Sequence, residues 1–495
     1  MASTPNLFFY DLETSGIRPD SARIMQFAGQ RVDLDLNPVG EPLNYLIRLS
    51  EDILPDPQAV LVHGIAPQQT VLEGLTEAEF LEVFYKDVVQ PETIFVGFNN
   101  IRFDDEFMRY LNFRNLYDPY AWSWEQHNSR WDLLDVTRQV RALRPEGINW
   151  PQDENGKNTN RLELLSKANK LTHLSAHDAL SDVLATIELA RLIKQKQPEL
   201  YDFLFKMRLK EEVAKLVNTT QPFIYTSSHY PSSNLHTTLA VKVADNLTSP
   251  NSCLVYDLRY DPEPYLKLTA EQLADAWRYD PKRKLEETTR LPIKTMRYNR
   301  CPAIVPLEMV SGMDETLRQH TGLDLETTKI NLEKLHSNNA KTFAERLNQA
   351  IEILNLEQAE RRANKPSSVD ARLYDGFYSD QDRNLMQTLH QPDEDAARVR
   401  EIRNRFSDTR LKQLCSFYLA RNYKRDLTPT ERQGWDDYLR RQLVEGGANS
   451  RLAEYFRQIA ELAADRADAR SQVLLEDLKL YGESLIPTSY ADEEE

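Results

Sequence analysis

The chain has 495 residues, more than one hydrophobic core can organise, so we expect about three domains. Hydrophobic residues make up 41% and charged residues 28% of the sequence, and no run of about 18 apolar residues could cross a bilayer. The net charge of −16 excludes a uniformly basic surface for nucleic acid, although one groove of an acidic protein can still be basic. The N-terminal stretch "MASTPNLFFYDLE" lacks the basic and apolar regions of a signal peptide, so we expect a cytoplasmic protein without a membrane anchor.

The first 198 residues alternate segments typical of strands with segments typical of helices. Strands are predicted in "NLFFYDLE", "RIMQFAGQRVD", "LNYLIRLS" and "TIFVGFN". Apolar residues at helical spacing predict helices in "DEFMRYLNFRN", "WDLLDVTRQVRAL", "RLELLSKANKL" and "DALSDVLATIELARLIKQ". This alternation predicts an α/β domain with a central sheet over residues 1–198.

The rest of the chain divides into two segments of different texture. Over residues 199–355, stretches such as "TTLAVKVAD" and "SCLVYDLRYD" alternate apolar and polar residues between clusters of Pro, Asn and Ser, which predicts a small β-rich domain with some helix. Over residues 356–495, helical periodicity dominates, as in "LKQLCSFYLARNY". We therefore expect an all-helical domain at the C-terminus.

Acidic residues at three places in the first domain form a candidate metal site. Asp11 and Glu13 flank Leu12 at the end of a predicted strand, so both carboxylates emerge on one face. Asp104 lies where a strand gives way to a helix, and Asp182 lies near the start of the domain's last predicted helix. Each acid alone could be a helix cap or a solvated side chain. Together, four carboxylates suit Mg²⁺ or Mn²⁺, and two such ions about 4 Å apart can clamp the attacking and leaving oxygens of a phosphodiester.

A histidine accompanies the last of these acids. His177 precedes Asp182 by five residues, a spacing that does not place both on one helix face, so we expect His177 just before the helix and Asp182 in its first turn. An imidazole, whose ordinary pKa is about 6.5, can take a proton from water near neutral pH. His177 is therefore a candidate general base.

Three motifs carry a family resemblance. They are the D-x-E of "YDLETSG", the N-x-x-x-F-D of "NNIRFD" and the H-x-x-x-x-D of "HDALSD". As a set, in this order, they resemble the exonuclease motifs of the DEDDh family of 3'-to-5' exonucleases. The resemblance implies a ribonuclease H-like fold with a mixed sheet flanked by helices. It also implies two Mg²⁺ ions, replaceable by Mn²⁺, on the four acids named above, and His177 as general base.

The remainder of the chain narrows the resemblance. "YDPYAWSWEQHNSRWDLLDVTRQVRALRPEGINWP", "RLELLSKANKL" and "YDGFYSDQDR" are similar to the bacterial exodeoxyribonuclease I family, over essentially the whole chain. That family implies an SH3-like middle domain and a helical C-terminal domain that close around single-stranded DNA, with digestion to 5'-mononucleotides in DNA repair and recombination. Two alternatives stay open, namely an RNA-trimming or proofreading exonuclease with the same core and a catalytically silent single-strand-binding scaffold.

An aromatic stretch supports binding of unpaired bases. Four of the six tryptophans, Trp122, Trp124, Trp131 and Trp150, lie close together among tyrosines and arginines. Aromatic faces stack bases and arginines hold phosphates, although each tryptophan could equally belong to a hydrophobic core. By resemblance, the predicted contacts to single-stranded DNA are Glu13, Arg109, Tyr120, Trp124, Arg138, Arg161 and Lys210. For Arg109 and Lys210, a solvated helix face is the alternative.

The resemblance also implies a protein partner. The acidic C-terminal tail of a single-stranded-DNA-binding protein is expected to dock on a basic pocket that includes Arg144, and the chain is expected to be a monomer. Arg144 could instead satisfy the carbonyls at a helix end. We expect His63 to be a structural or groove residue rather than a metal ligand. Helix dipoles sufficiently explain Asp105, Glu106 and Asp178.

Overall fold

The computed structural model describes residues 5–172, 177–278, 290–310, 313–336, 340–363, 368–391 and 394–486. The strands are β1 Asn6–Thr14, β2 Ile24–Val32, β3 Leu43–Leu46, β4 Thr93–Gly97, β5 Ser129–Asp132, β6 Phe223–Thr226, β7 Thr237–Asp245, β8 Ser252–Asp257, β9 Ile293–Arg297 and β10 Ala303–Pro306.

The helices of the first half of the chain are α1 Pro57–His63, α2 Pro67–Glu73, α3 Glu77–Val83, α4 Asp104–Arg114, α5 Leu133–Leu143, α6 Leu162–Asn169, α7 Ala179–Lys196, α8 Pro198–Lys206 and α9 Lys210–Val217. Those of the second half are α10 Ala270–Trp277, α11 Glu315–Thr321, α12 Leu325–Leu335, α13 Ala340–Ala363, α14 Asp380–Leu389, α15 Ala396–Arg405, α16 Thr409–Asn422, α17 Pro429–Leu443, α18 Arg451–Asp465 and α19 Ala469–Ser484.

The chain forms two compact units, and the first combines its two ends. This unit takes residues 1–128, 173–185 and 367–495. Its sheet is mixed, because β1 pairs antiparallel with β2 and parallel with β4, while β3 pairs antiparallel with β2. Apolar side chains of β1, β2 and β4 pack against α3 and α4, so β1 is buried along most of its length. Asp11 and Glu13, near the C-terminal end of β1, are therefore held on a strand that is fixed in the hydrophobic core.

The C-terminal helices complete the same unit. Helices α18 and α19 pack on α1, in a core that includes Val60, Tyr455 and Leu478. Helices α14 to α16 share another core with Tyr110 and Phe113 of α4. The helices that follow residue 367 are therefore part of the structural support of the N-terminal sheet.

A buried network of charges joins the two ends of the chain. Asp370 accepts hydrogen bonds from Arg23 and Arg421, each at 2.6 Å, and Arg421 also donates to Asp52 at 2.7 Å. The four side chains are between 1% and 9% exposed. Because buried charges are costly unless paired, each member depends on the others.

The second unit takes residues 129–172 and 186–366. Its sheet is antiparallel, with the strand order β10-β6-β7-β8-β9. The core behind this sheet contains Val213, Phe223, Val255 and Ile304. Helix α13 extends to Ala363, so the predicted domain limit between residues 355 and 356 falls inside a helix.

The predicted architecture is confirmed: a mixed sheet with helices, a β-rich middle segment and a helical C-terminal segment. The seven-residue helices α1, α2 and α3 were not predicted. Across the part of the chain that the structure describes, no helix combines the length and the apolar character needed to cross a membrane.

Candidate active site

The end of β1 and the start of α7 bring three predicted acids together. Asp11 and Glu13 lie on β1, and Asp182 lies in the first turn of α7. One carboxylate oxygen from each lies within 4.8 Å of the others, and all three side chains are half-buried. This spacing allows the three carboxylates to share a metal ion.

Asp104 approaches the same cluster from the turn that follows β4. It begins α4 and is 4% exposed. The turn needs Gly97 at the end of β4, because a Cβ there would lie 2.6 Å from Cβ of Asn100 and 3.1 Å from the Tyr10 carbonyl oxygen. Asn99 has a left-handed backbone with φ of 72°, a conformation that asparagine adopts more readily than most residues. The motif "NNIRFD" therefore builds the turn that presents Asp104.

The electrostatics of the cluster are those of crowded, buried acids. Burial raises the pKa of Asp11 well above its usual range, and the carboxylates of Asp104, Asp182 and Glu13 raise it further. Burial also raises the pKa of Glu13 to about 8, with added repulsion from Asp182 and Asp178. A divalent cation among these oxygens would relieve both effects.

His177 lies where the sequence predicts, immediately before α7. Helix α7 begins at Ala179, and the His177 side chain is exposed. Its backbone is left-handed, with φ of 62°, which is uncommon outside glycine. The His177 ring therefore lies in the turn that precedes α7, and the Asp182 carboxylate lies in the first turn of that helix.

The other acids near these motifs have structural partners. Asp105 is fully buried and accepts a hydrogen bond from the Tyr10 hydroxyl. Asp178 accepts a bond from the Ser181 backbone at 3.0 Å and thereby caps α7. Glu106 pairs with Arg109 and accepts a bond from Tyr374. Specific hydrogen bonds and ion pairs thus add to the helix dipole that was expected to explain these acids.

His63 lies close to the site as a buried neutral group. It is 8% exposed, and its Nδ1 accepts a hydrogen bond from the Ile65 backbone at 3.0 Å. Burial lowers its pKa to about 4, the nearby Thr14 backbone opposes that shift, and His177 adds to it. These contacts favour the structural role that was expected of it.

Three predicted DNA contacts lie in the first unit and follow β4 in the sequence: Arg109, Tyr120 and Trp124. Arg109 is 6% exposed, and its guanidinium lies 5.3 Å from the centre of the Tyr120 ring. The solvated helix face that was the alternative for Arg109 is therefore wrong. Tyr120 is 39% and Trp124 61% exposed, so both rings are open to a ligand.

The other three tryptophans of the aromatic stretch are not exposed. Trp122 and Trp131 are each 1% exposed and belong to hydrophobic cores. Trp150 is half-buried, donates to the Pro145 carbonyl at 2.9 Å and lies beside the Arg141 guanidinium. The aromatic stretch therefore contributes one freely exposed indole.

Two aromatic residues of the C-terminal segment were not predicted as site residues. Tyr374 is 44% and Phe377 is 97% exposed. Tyr374 also packs edge-on against Tyr110 of α4, at 6.0 Å between ring centres. Their signal was the phrase "YDGFYSDQDR", in which two aromatic residues flank Gly376 without any helical or strand period.

The remaining predicted contacts lie in the second unit. Arg161 precedes α6 and is exposed, and Lys210 begins α9 with half of its side chain exposed. Arg138 forms an ion pair with Asp135 at 2.7 Å. Their contacts with DNA stay predictions.

Two further arginines of this unit bind backbone carbonyls. Arg144 donates to the carbonyls of Leu143 at 2.7 Å and Met309 at 3.0 Å, which is the helix-end role that was its alternative. Arg141 holds the turn before Arg161, because its guanidinium donates to the carbonyls of Thr159 and Pro151.

Models of known families match three parts of the chain. The model described as "Exonuclease" matches residues 8–190. "Exonuclease I SH3-like domain" matches residues 208–352, and "Exonuclease I C-terminal domain" matches residues 367–485. The mixed sheet thus belongs to an exonuclease domain of ribonuclease H-like fold, and the antiparallel sheet to an SH3-like domain.

Curated relatives and solved structures agree over the whole chain. Exodeoxyribonuclease I of Haemophilus influenzae is 37% identical over 97% of this chain and 99% of that protein, and its Escherichia coli counterpart is 36% identical over 97% and 98%. Exonuclease I of E. coli in complex with a dA16 oligonucleotide superposes with a TM-score of 0.89, at 35% identity, covering 98% of this chain and 100% of that one. A structure of the E. coli enzyme with a zinc ion and single-stranded DNA gives a TM-score of 0.87, and a structure of exonuclease I with SSB and an inhibitor gives 0.86. The chain belongs to the exodeoxyribonuclease I family.

Proposed function

We propose that this protein is a 3'-to-5' exodeoxyribonuclease that hydrolyses single-stranded DNA to 5'-mononucleotides in DNA repair and recombination. The observation that carries the proposal is the convergence of Asp11, Glu13 and Asp182 within 4.8 Å, beside Asp104 and at the start of the helix that His177 precedes. The names of the relatives and the oligonucleotide in the E. coli complex support this substrate.

Two Mg²⁺ ions fit the acid cluster, with Mn²⁺ as a substitute. The cluster offers hard carboxylate oxygens on a rigid strand and a capped helix, and burial together with repulsion from neighbouring acids raises the pKa values of Asp11 and Glu13. Asp104 and Asp182 would complete the ligand set. When bound, the ions supply positive charge to the attacking and leaving oxygens of the phosphodiester. The zinc-bound form of the E. coli enzyme supports a divalent-metal site.

His177 would act as the general base. Its exposed imidazole accepts a proton from the attacking water, whose oxygen bonds to the terminal phosphorus. The bond from phosphorus to the neighbouring 3'-oxygen breaks, and that oxygen takes up a proton. The products are a 5'-mononucleotide and a strand with a new 3'-hydroxyl.

The exposed aromatic residues of the first unit would bind the strand. Tyr120, Trp124, Tyr374 and Phe377 can stack on unpaired bases without reading their sequence. Arg109, whose guanidinium lies 5.3 Å from the centre of the Tyr120 ring, would contact the strand beside that ring. Glu13 would also contact the terminal nucleotide.

Positive residues of the second unit would hold the phosphates. Arg161 would lie near the scissile end, with Arg138 and Lys210 along the strand. Arg161 has support for such a role, because it is exposed at the start of α6 and the turn before it is tied to Arg141. The enzyme would act on single-stranded DNA as a monomer in the cytoplasm.

We also propose that the acidic C-terminal tail of a single-stranded-DNA-binding protein docks at Arg144. The solved structure of exonuclease I with SSB and an inhibitor supports such a partner. Pull-down with the tail peptide should weaken for Arg144→Ala and be unaffected by Arg191→Ala on the exposed face of α7. Equal binding by all three proteins would remove Arg144 from the docking surface.

The central experiment uses single-stranded DNA, double-stranded DNA and RNA, each labelled at the 5' end. The native protein, Asp182→Ala and the control Glu188→Gln are incubated with Mg²⁺ or with EDTA. Glu188 is a suitable control because it lies on the same helix but pairs with Arg191 at the surface. We expect a Mg²⁺-dependent ladder that shortens from the 3' end of single-stranded DNA, absent for Asp182→Ala and unchanged for Glu188→Gln.

The other outcomes distinguish the alternatives. A preference for RNA would retain the active site and overturn the proposed substrate. Tight binding of DNA without cleavage under any metal would indicate the silent scaffold.

A further inference from the structure

A buried glutamine lies directly beside the acid cluster. Gln26 of β2 is the cross-strand partner of Glu13, so both side chains lie on the same face of the sheet. Gln26 is 6% exposed. A buried amide requires hydrogen-bond partners, since leaving its polar atoms unsatisfied costs about 1–3 kcal/mol.

The partners of Gln26 connect the sheet to the start of α7. Its Nε2 donates to Oδ1 of Asn44 on β3 at 3.0 Å and to Oδ2 of Asp178 at 3.3 Å. Its Oε1 accepts from the backbone N–H of Ala179 at 3.3 Å. One side chain therefore bonds both the capping residue and the first residue of α7.

The same short segment fixes two proposed catalytic groups. Asp178 caps α7 through its carboxylate, and its carbonyl accepts the backbone N–H of Asp182 at 3.0 Å. His177 is the residue before Asp178. Any displacement of Asp178 and Ala179 from the sheet would therefore move both the Asp182 carboxylate and the His177 ring.

We infer that Gln26 is a positioning residue of the active site: it holds the start of α7 against β2, so that Asp182 meets Asp11 and Glu13. This inference rests on the proposed function. An amide suits the position because it donates and accepts at once without adding charge. Glutamate would lose the donor and add a negative charge beside Asp178 and Glu13, and leucine would lose all three hydrogen bonds of the amide.

The chain offers a matched control on the same strand. Gln30 lies four residues further along β2, on the same face, and is 3% exposed. Its amide donates to the carbonyls of Arg31 and Gly40, which do not belong to the acid cluster. Gln30→Leu therefore removes an equally buried glutamine whose amide donates to carbonyls outside α7.

The experiment measures Mn²⁺ binding by calorimetry, without DNA, for the native protein, Gln26→Leu, Gln26→Glu and Gln30→Leu. Loss of a residue that orients metal ligands typically weakens metal affinity about 10- to 100-fold. We expect a loss in this range for both Gln26 variants and a change below about twofold for Gln30→Leu. We also expect kcat on single-stranded DNA to fall in parallel, with DNA affinity in EDTA unchanged.

The outcomes separate this inference from the proposed function. If the native protein neither binds Mn²⁺ nor degrades single-stranded DNA, the proposed function fails. If the native protein does both, and Gln26→Leu and Gln26→Glu bind Mn²⁺ no more weakly than Gln30→Leu, the positioning role is refuted. Gln26→Glu, which is nearly isosteric, decides the question if Gln26→Leu does not fold by circular dichroism.

Discussion

Removal of Asp370 should destabilise the first unit strongly. This side chain accepts hydrogen bonds from Arg23 and Arg421, each at 2.6 Å, in a site where it is 3% exposed. Asp370→Asn leaves two buried guanidinium groups, Arg421 paired with Asp52 at 2.7 Å and Arg23 with Asp52 and Glu77 only at 3.8 Å. Breaking one partner of a buried ion pair costs about 3–5 kcal/mol. At roughly 2 °C per kcal/mol for a unit of this size, the melting temperature should fall by about 6–10 °C.

The pH dependence gives the same prediction a second readout. Although burial alone raises the pKa of Asp370, the guanidinium groups of Arg421 and Arg23 hold it well below its usual range. An acid with a depressed pKa contributes stability that is fully present above about pH 4, the value in the unfolded chain, and is lost as the pH falls below it. Asp370→Asn should therefore lose less stability than the native protein between about pH 4 and pH 2.

Calorimetric melting and urea denaturation of the full chain test both statements. Glu401→Gln, on the exposed face of α15, is the control and should leave the melting temperature unchanged. A loss of less than about 1 kcal/mol for Asp370→Asn, or acid sensitivity equal to that of the native protein, would refute the argument that the buried pairs stabilise this unit.

Other substitutions test the site and its support. Trp124→Ala should weaken single-stranded DNA binding about 5- to 150-fold, the equivalent of one stacking interaction, as fluorescence anisotropy would show. Trp122→Ala should instead cost about 3–5 kcal/mol in urea denaturation, because that indole is fully buried. Arg141→Met should raise KM about tenfold with a smaller change in kcat, because it releases the turn before α6. Gly97→Ala should cost about 1–3 kcal/mol and reduce activity, since its methyl group would overlap Asn100.

The sequence predicts the strands and helices that are long enough to show a regular spacing of apolar residues. The pattern "NLFFYDLE" corresponds to β1, and "DALSDVLATIELARLIKQ" corresponds to α7 within a residue or two. Helices of seven residues are too short to show a period, so α1 was missed although Asp56 caps it and Pro57 opens it. Local periodicity therefore identifies long elements and omits short ones.

The candidate site was predictable where motifs are local and not where contacts are distant. Asp104 and Asp105 are adjacent in sequence, and the motif identifies Asp104 as the candidate metal ligand. Asp105 instead accepts a hydrogen bond from the Tyr10 hydroxyl. Tyr374 contacts Glu106 across more than 260 residues of chain, a pairing that no local pattern encodes. Gln26 was missed for the same reason, since its proposed positioning role depends on β2 lying beside the start of α7.

The pairing of both chain ends in one unit has a consequence for synthesis on the ribosome. Arg23, Asp52 and Glu77 emerge early, yet Asp370 and Arg421 are made only near the end. At about 5–20 residues per second, the roughly 180 residues from 186 to 366 take about 10–40 s to translate. During that interval Arg23 lacks its 2.6 Å partner Asp370 and Asp52 lacks its 2.7 Å partner Arg421, so we expect this part of the nascent segment to stay incompletely folded. We would then expect DNA-degrading activity only in chains that include the helices after residue 367.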